Sequence, residues 1–303
     1  MIKVIASDMD GTLLGLDHKV APRTLEAIHM AQEQGIRFMI ATGRNFRSAM
    51  EELEELDLEC DYLVGSGAEV RNPQREVVLQ TPIPIEVCEE LYRQLIKFPV
   101  SIIFSTDDFD YRIGTEEEIE ESIVEQIHLF HLDLEPEKIR HSELYERICK
   151  ATRRISDFAE LKEGKAPIYK VFIFTEDIPL LKRIQSVLGE NNKVAVASSF
   201  ITNLEITDVH AQKGPMLKRY IESLGYTMDE VMVFGDSMND YSMLSMDFKA
   251  TVAMENAEPE IKEVAKYVTK SNEAYGVAYA IEELLKHYKE TKEACLKKTA
   301  LLF

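Results

Sequence analysis

Val4-Ile5-Ala6-Ser7-Asp8-Met9-Asp10-Gly11-Thr12-Leu13-Leu14 is the stretch that decides how this chain is read. Its opening run, Lys3–Ser7, is short and apolar, as a strand buried on both faces would be. The run leads straight into two aspartates spaced by one residue. Residues i and i+2 of an extended segment point to the same side, so the carboxylates of Asp8 and Asp10 are expected to converge. Two such groups repel unless a cation or a shared proton offsets the charge. One of the pair can attack an electrophile while the other handles a proton. Gly11 permits the sharp turn that this arrangement needs.

Three further apolar runs end in the same manner. Phe38–Ala41 leads into Thr42-Gly43-Arg44, Tyr62–Val64 into Gly65, and Val231–Phe234 into Gly235-Asp236. Helical patterns lie between them. Pro22 suits a first helical turn, Leu25 and Ile28 share a face, and Gly35 marks the stop. Pro215 begins another pattern, with Leu217, Tyr220, Ile221 and Leu224 on one stripe before Gly225. Strands alternating with helices predict an α/β fold built on a doubly wound parallel sheet. Ligands of such sheets bind beyond the carboxyl ends of the strands, where these polar residues cluster.

The middle of the chain has a different rhythm. Strand-like runs at Val100–Ser105, Tyr169–Thr175 and Lys193–Ala197 mix with helices. One helix is expected to start at Thr115, with Glu118 completing a capping box and Ile119, Ile123 and Ile127 on one face. This segment reads as a second α/β domain inserted into the first. The expected division is 1–82 with 208–303 for the core and 83–207 for the insert. Pro82 and Pro84 fit the outgoing linker, and Asp208–Gln212 the return. His287–Phe303 reads as a charged C-terminal helix, and the acidic runs Glu51–Glu59 and Glu116–Glu121 as solvated helix faces.

Composition narrows the function. A length of 303 residues suits two domains, and 45% hydrophobic residues allow a sizeable core. A net charge of −19 argues against nucleic acid and anionic membrane surfaces as partners. No apolar run approaches the roughly 20 residues needed to cross a bilayer. Cys60, Cys88, Cys149 and Cys295 lie far apart and form neither a zinc pattern nor a disulfide framework. A cytoplasmic protein is the expectation, with monomer and homodimer both open. Gly65-Ser66-Gly67 has Val70 where a dinucleotide fingerprint needs its third glycine, so that reading is rejected.

The motifs taken together resemble those of the haloacid dehalogenase superfamily. DMDGTLL, from Asp8, resembles its first motif and Thr42-Gly43-Arg44 its second. Lys213-Gly214 resembles the third and Gly235-Asp236-Ser237-Met238-Asn239-Asp240 the fourth. The likeness continues through Ala253-Met254-Glu255-Asn256-Ala257 and Tyr275-Gly276-Val277-Ala278, in the pattern of the Cof-like, type IIB group, whose cap lies between the second and third motifs. The resemblance implies a phosphatase with Asp8 as nucleophile and Asp10 as general acid and base. It implies Mg2+ held by Asp8, the main-chain carbonyl of Asp10, and Asp236. Phosphate contacts fall to Met9, Thr42, Gly43, Lys213 and Asn239, with Thr12, Arg44 and Asp240 in support. The substrate implied is a small phosphorylated metabolite such as a sugar phosphate or nucleotide. Ser66 stands where the family usually has Asn, and Glu255 where Gly is common.

Two alternatives stay open on the residues alone. A phosphomutase would keep its phosphate and needs a second basic site, for which Arg153, Arg154, Lys162 and Lys165 are the candidates. A non-catalytic phospho-receiver would share the acidic pocket, yet needs neither an inserted domain nor an acid at Asp10.

Overall fold

A computed structural model describes residues 1–131 and 134–300. The chain opens with β1 (Val4–Ser7), α1 (Pro22–Glu33), β2 (Arg37–Ala41) and α2 (Phe46–Leu53). It continues through β3 (Asp61–Val64), β4 (Glu69–Arg71), β5 (Val77–Gln80) and α3 (Ile85–Leu95). Next come β6 (Ser101–Ser105), β7 (Asp110–Ile113), α4 (Glu116–Phe130), α5 (Glu143–Ala151), β8 (Thr152–Ile155) and α6 (Phe158–Gly164). β9 (Lys170–Phe174), α7 (Ile178–Leu188), β10 (Val194–Ala197) and β11 (Asn203–Asp208) complete the middle. The last part holds α8 (Lys213–Ser223), β12 (Val231–Gly235), α9 (Tyr241–Leu244), β13 (Ala250–Ala253), α10 (Pro259–Val264), β14 (Tyr267–Val268) and α11 (Gly276–Ala300). None of the helices among the described residues is long and apolar enough to cross a membrane.

Two compact units emerge from the packing. The first takes in Met1–Ala41, Glu52–Asp61 and the chain from Lys218 on; the second takes in Thr42–Glu51 and Tyr62–Leu217. The sequence-drawn limits at 82/83 and 207/208 fall inside the second unit.

In the first unit, β14, β13, β12, β1 and β2 lie side by side in that order, all parallel. The chain lays β2 on one side of β1 and, much later, β12, β13 and β14 on the other. Strand order therefore reverses beside β1, which is where an open α/β sheet leaves a crevice at its carboxyl ends. β1 and β12 are buried along their whole length, as their apolar composition predicts. Pro22 occupies the first turn of α1, and Gly35 follows the helix at φ +77°. Asp61 is fully buried and ion-paired with Arg37, and its Oδ1 accepts a 2.6 Å hydrogen bond from the Tyr220 hydroxyl. A buried carboxylate needs partners of this kind to stay charged.

The second unit carries its own six-stranded sheet, in the order β10, β11, β9, β6, β7, β8. Its strands alternate cleanly. Phe104, Val171, Ile173, Leu204 and Ile206 pack with apolar residues of α3, α6 and α7, such as Leu91, Leu161 and Leu181. The intervening positions Ser105, Arg112, Lys170 and Glu205 point to the other face. All four are buried despite their polarity. The capping box expected at Thr115 and Glu118 is present, and Ile119, Ile123 and Ile127 form the buried stripe of α4.

Several element limits differ from the expectation. α8 begins at Lys213, two residues before Pro215; the proline sits in the first turn, where an amide N–H has no intrahelical partner to lose. α2 stops at Leu53, so most of the acidic run to Glu59 lies in tight turns, with Leu56 N bonded to Leu53 O and Leu58 N to Leu56 O. The C-terminal helix starts at Gly276, because Val277, Ala278, Ile281 and Leu285 already supply a buried stripe. The last three residues of the range His287–Phe303 lie outside the described residues.

Candidate active site

An acidic cluster is built where β1 and β12 end. Ser7 pairs in register with Phe234, and the Asp8 amide donates to the Phe234 carbonyl at 3.0 Å. That bond extends the ladder by one residue and places Asp8 at the reversal point, where its side chain is buried. The backbone then closes a tight turn over Met9–Leu13, with Leu14 N bonded to Met9 O at 2.9 Å. Gly11 sits at φ +78°, and a Cβ there would strike the Asp236 carboxylate. No other residue fits this position. Asn256 Nδ2 donates to the Gly11 carbonyl at 2.8 Å and pins the turn from a distant loop.

Asp8, at φ −61° and ψ 163°, and Asp10, at φ −79° and ψ 122°, are both extended; Asp8 is buried and Asp10 exposed. The buried aspartate meets two others. Asp8, Asp236 and Asp240 each offer an oxygen, and these atoms lie within 4.8 Å of one another. Asp236 follows β12 directly, and its Oδ1 accepts from Thr12 Oγ1 at 3.0 Å. Asp240 is fully buried, and its Oδ2 accepts from the amides of Asp236 at 2.9 Å and Ser237 at 3.2 Å. Asp240 thereby holds the loop that carries Asp236. Asn239 accepts from Ser237 Oγ at 3.0 Å in the same loop. Nearby, burial first and then the charges of Glu260 and Asp240 push the Glu258 carboxyl upward, against the lowering pull of the Met238 amide.

Three carboxylates so close are stable together only when a cation or protons offset their charge. The donor set is all carboxylate oxygen, with no sulfur or imidazole among the three. Such ligands suit a small hard cation of the magnesium type and fit zinc or copper poorly.

Other residues expected at the site lie in the second unit. Thr42 is buried; its amide donates to Leu63 O at 2.8 Å, its Oγ1 accepts from the Arg44 amide at 3.1 Å, and its carbonyl accepts from Ser66 N at 3.0 Å. Gly65, Ser66 and Gly67 all lie at positive φ, at 60°, 60° and 104°. A Cβ on Gly67 would come within 2.5 Å of the Gln212 backbone carbon, so this close approach requires glycine. Lys213, at the start of α8, is fully buried rather than solvated. Ser66, where the family pattern has Asn, uses its hydroxyl to donate to Glu205 Oε2 at 2.5 Å.

Glu205 and Lys170 were not among the residues singled out from the sequence. Lys170 Nζ donates to the Gly43 carbonyl at 2.7 Å and pairs with Glu205 at 3.3 Å. Ser199 Oγ donates to the other Glu205 oxygen at 2.8 Å. Burial alone would raise the Glu205 carboxyl, but Lys170, Ser66, Ser199 and Lys213 together hold it below its ordinary range. A depressed carboxylate contributes stability that is present at neutral pH and is lost as pH falls through its folded value. Glu205→Gln should therefore unfold at lower temperature than wild type at pH 7, and the gap should shrink in acid. A gap that stays constant or widens in acid would show that the charge of Glu205 is not what stabilises this cluster.

Comparison with known proteins identifies the family. The family profile of haloacid dehalogenase-like hydrolases matches residues 5–281. The protein YxeH of Bacillus subtilis is 30% identical, over 94% of this chain and 99% of its own length. A second Bacillus subtilis relative, the 5-amino-6-(5-phospho-D-ribitylamino)uracil phosphatase YcsE, is 28% identical over 92% of this chain and 94% of its own. The solved structure of a haloacid dehalogenase-like hydrolase from B. subtilis superposes with a TM-score of 0.81 at 26% identity, covering 93% of this chain and all of that one. The chain belongs to the haloacid dehalogenase-like hydrolases and is a phosphatase of that family.

Proposed function

We propose that this phosphatase hydrolyses the phosphate monoester of a small metabolite through a covalent aspartyl-phosphate on Asp8. The observation that carries the reading is the burial of Asp8 at the end of β1 with the Asp236 and Asp240 carboxylates gathered around it. In the first step an Asp8 oxygen forms a bond to phosphorus while the bond to the leaving oxygen breaks. Asp10, exposed on the adjacent turn, gives its proton to that leaving oxygen. In the second step Asp10 takes a proton from water, whose oxygen attacks phosphorus and releases orthophosphate with the free Asp8 carboxylate.

Asp8, Asp236 and the main-chain carbonyl of Asp10 would hold magnesium, which when bound offsets the negative charge of nucleophile and substrate. Asp240 would keep the ligand loop in place. Thr42, Gly43 and Lys213 would bind phosphoryl oxygens, helped by the amide of Met9 and by Asn239, with Thr12 and Arg44 in support. Phosphoryl transfer depends largely on such positioning and charge stabilisation. YcsE is named for an ester of a small molecule, which supports a phosphorylated metabolite as substrate class. Segment 83–207, with its own sheet, would act as the cap that covers the leaving group.

The direct test is orthophosphate release from p-nitrophenyl phosphate and from a panel of phosphometabolites, with magnesium and with chelator. Turnover that needs magnesium is the expected result. Full turnover in metal-free buffer, or zinc outperforming magnesium, contradicts the oxygen-ligand site.

A further inference from the structure

The loop Thr42-Gly43-Arg44 follows β2 and, in the reading above, binds phosphoryl oxygens. Its three carbonyl oxygens carry partial negative charge and would repel a phosphate that they faced. Each is turned onto a donor of the protein instead. The Thr42 carbonyl accepts from the Ser66 amide at 3.0 Å, and the Arg44 carbonyl from the Gly65 amide at 2.8 Å. The Gly43 carbonyl has no backbone donor among the described residues. It accepts from the Lys170 ammonium, at 2.7 Å, across a separation of 127 residues.

The Gly43 carbonyl and the Arg44 amide belong to one planar peptide unit, so they point in opposite directions and turn together. The Arg44 amide donates to Thr42 Oγ1 at 3.1 Å. Lys170 and Thr42 therefore hold the two ends of a single plane. The glycine before that plane offers little resistance to its rotation. Packing offers little more, because Gly43, Arg44 and Lys170 border a cavity of about 140 Å3. The held peptide also fixes the role of the Thr42 hydroxyl. Thr42 is 1% exposed, its oxygen takes the Arg44 amide, and its proton meets no acceptor among the described residues. A hydroxyl so placed is committed to donate, and a phosphoryl oxygen is an acceptor for it. Lys170 is itself buried and kept in place by Glu205, at 3.3 Å.

We propose that Lys170 is a positioning residue, which holds the Gly43 carbonyl away from the phosphoryl group and thereby keeps the Thr42 hydroxyl a donor to it. This rests on the phosphatase reading above. Lys170→Met should lower kcat/KM for p-nitrophenyl phosphate by about tenfold or more, the scale of one charge-assisted hydrogen bond. Inorganic phosphate should weaken as a competitive inhibitor by a similar factor, whereas the magnesium concentration for half-maximal activity should hold. Because the effect passes through Thr42, the two losses should not add. In a Thr42→Val background, Lys170→Met should cost less than about threefold. A full loss in that background overturns the proposal, and so does a folded Lys170→Met with wild-type kcat/KM. Equal weakening of phosphate and of magnesium also overturns it and leaves Lys170 a structural role. Lys170→Met strands the Glu205 charge; should it fail to fold, Lys170→Met with Glu205→Gln removes both charges of the pair and takes its place in every comparison. Failure of wild type to hydrolyse p-nitrophenyl phosphate or any ester of the panel is a different result. It removes the phosphatase reading, and this role with it.

Discussion

Asp8→Asn should lower turnover of p-nitrophenyl phosphate by at least about a thousandfold, which is ~4 kcal/mol of barrier. An amide cannot attack phosphorus, and neither Asp236 nor Asp240 can take over, since both are held in place by other bonds. Asp236 Oδ1 accepts from Thr12, and Asp240 Oδ2 accepts from two amides. The same change should not destabilise the metal-free fold. It removes one of three crowded carboxylates, so thermal unfolding without metal should stay level or rise. A variant that kept a tenth of wild-type activity would contradict the covalent mechanism. A variant that lost activity together with its cooperative unfolding would say nothing for a nucleophile and would assign Asp8 to the fold.

Asp236→Asn should separate metal binding from fold. The amide oxygen can still accept from Thr12, so the turn at Gly11 keeps its bond. The magnesium concentration for half-maximal activity should rise by about a hundredfold or more, since even outer-shell partners of a metal cost 10–100-fold when changed. A second readout needs no substrate. Magnesium binding only the native state raises its unfolding temperature by mass action, and this shift should largely vanish in Asp236→Asn. An unaltered magnesium dependence and an unaltered thermal shift would take Asp236 out of the ligand set.

The first unit was largely legible because its signals are local. Short apolar strands ending in Asp8 and Asp236, Pro22 at a helix start and Gly35 beyond its end each follow from a few neighbouring residues. The capping box at Thr115 is local in the same sense. What the sequence hid were interactions over long separations. The gathering of Asp8, Asp236 and Asp240 joins residues from opposite ends of the chain. Lys213 is marked in the sequence by its motif alone, and its complete burial follows from the fold. Lys170, Glu205, Asp110 and Arg112 fall at alternating positions of amphipathic strands, where polar residues normally face water. The one available signal was the presence of charges inside otherwise apolar runs, Tyr169-Lys170-Val171 and Leu204-Glu205-Ile206. That pattern alone does not distinguish a solvated sheet face from a lined cavity.

The knot around Glu205 bears on how substrate range can change over evolutionary time. Lys170, Ser199 and Glu205 lie inside segment 83–207, whereas Gly43 and Ser66, which they bond, lie outside it. A recombination event that replaced the segment as a cassette would strand the Ser66 hydroxyl and the Gly43 carbonyl unless the incoming piece carried equivalent partners at the same places. The segment is therefore a poor unit of exchange between distant lineages.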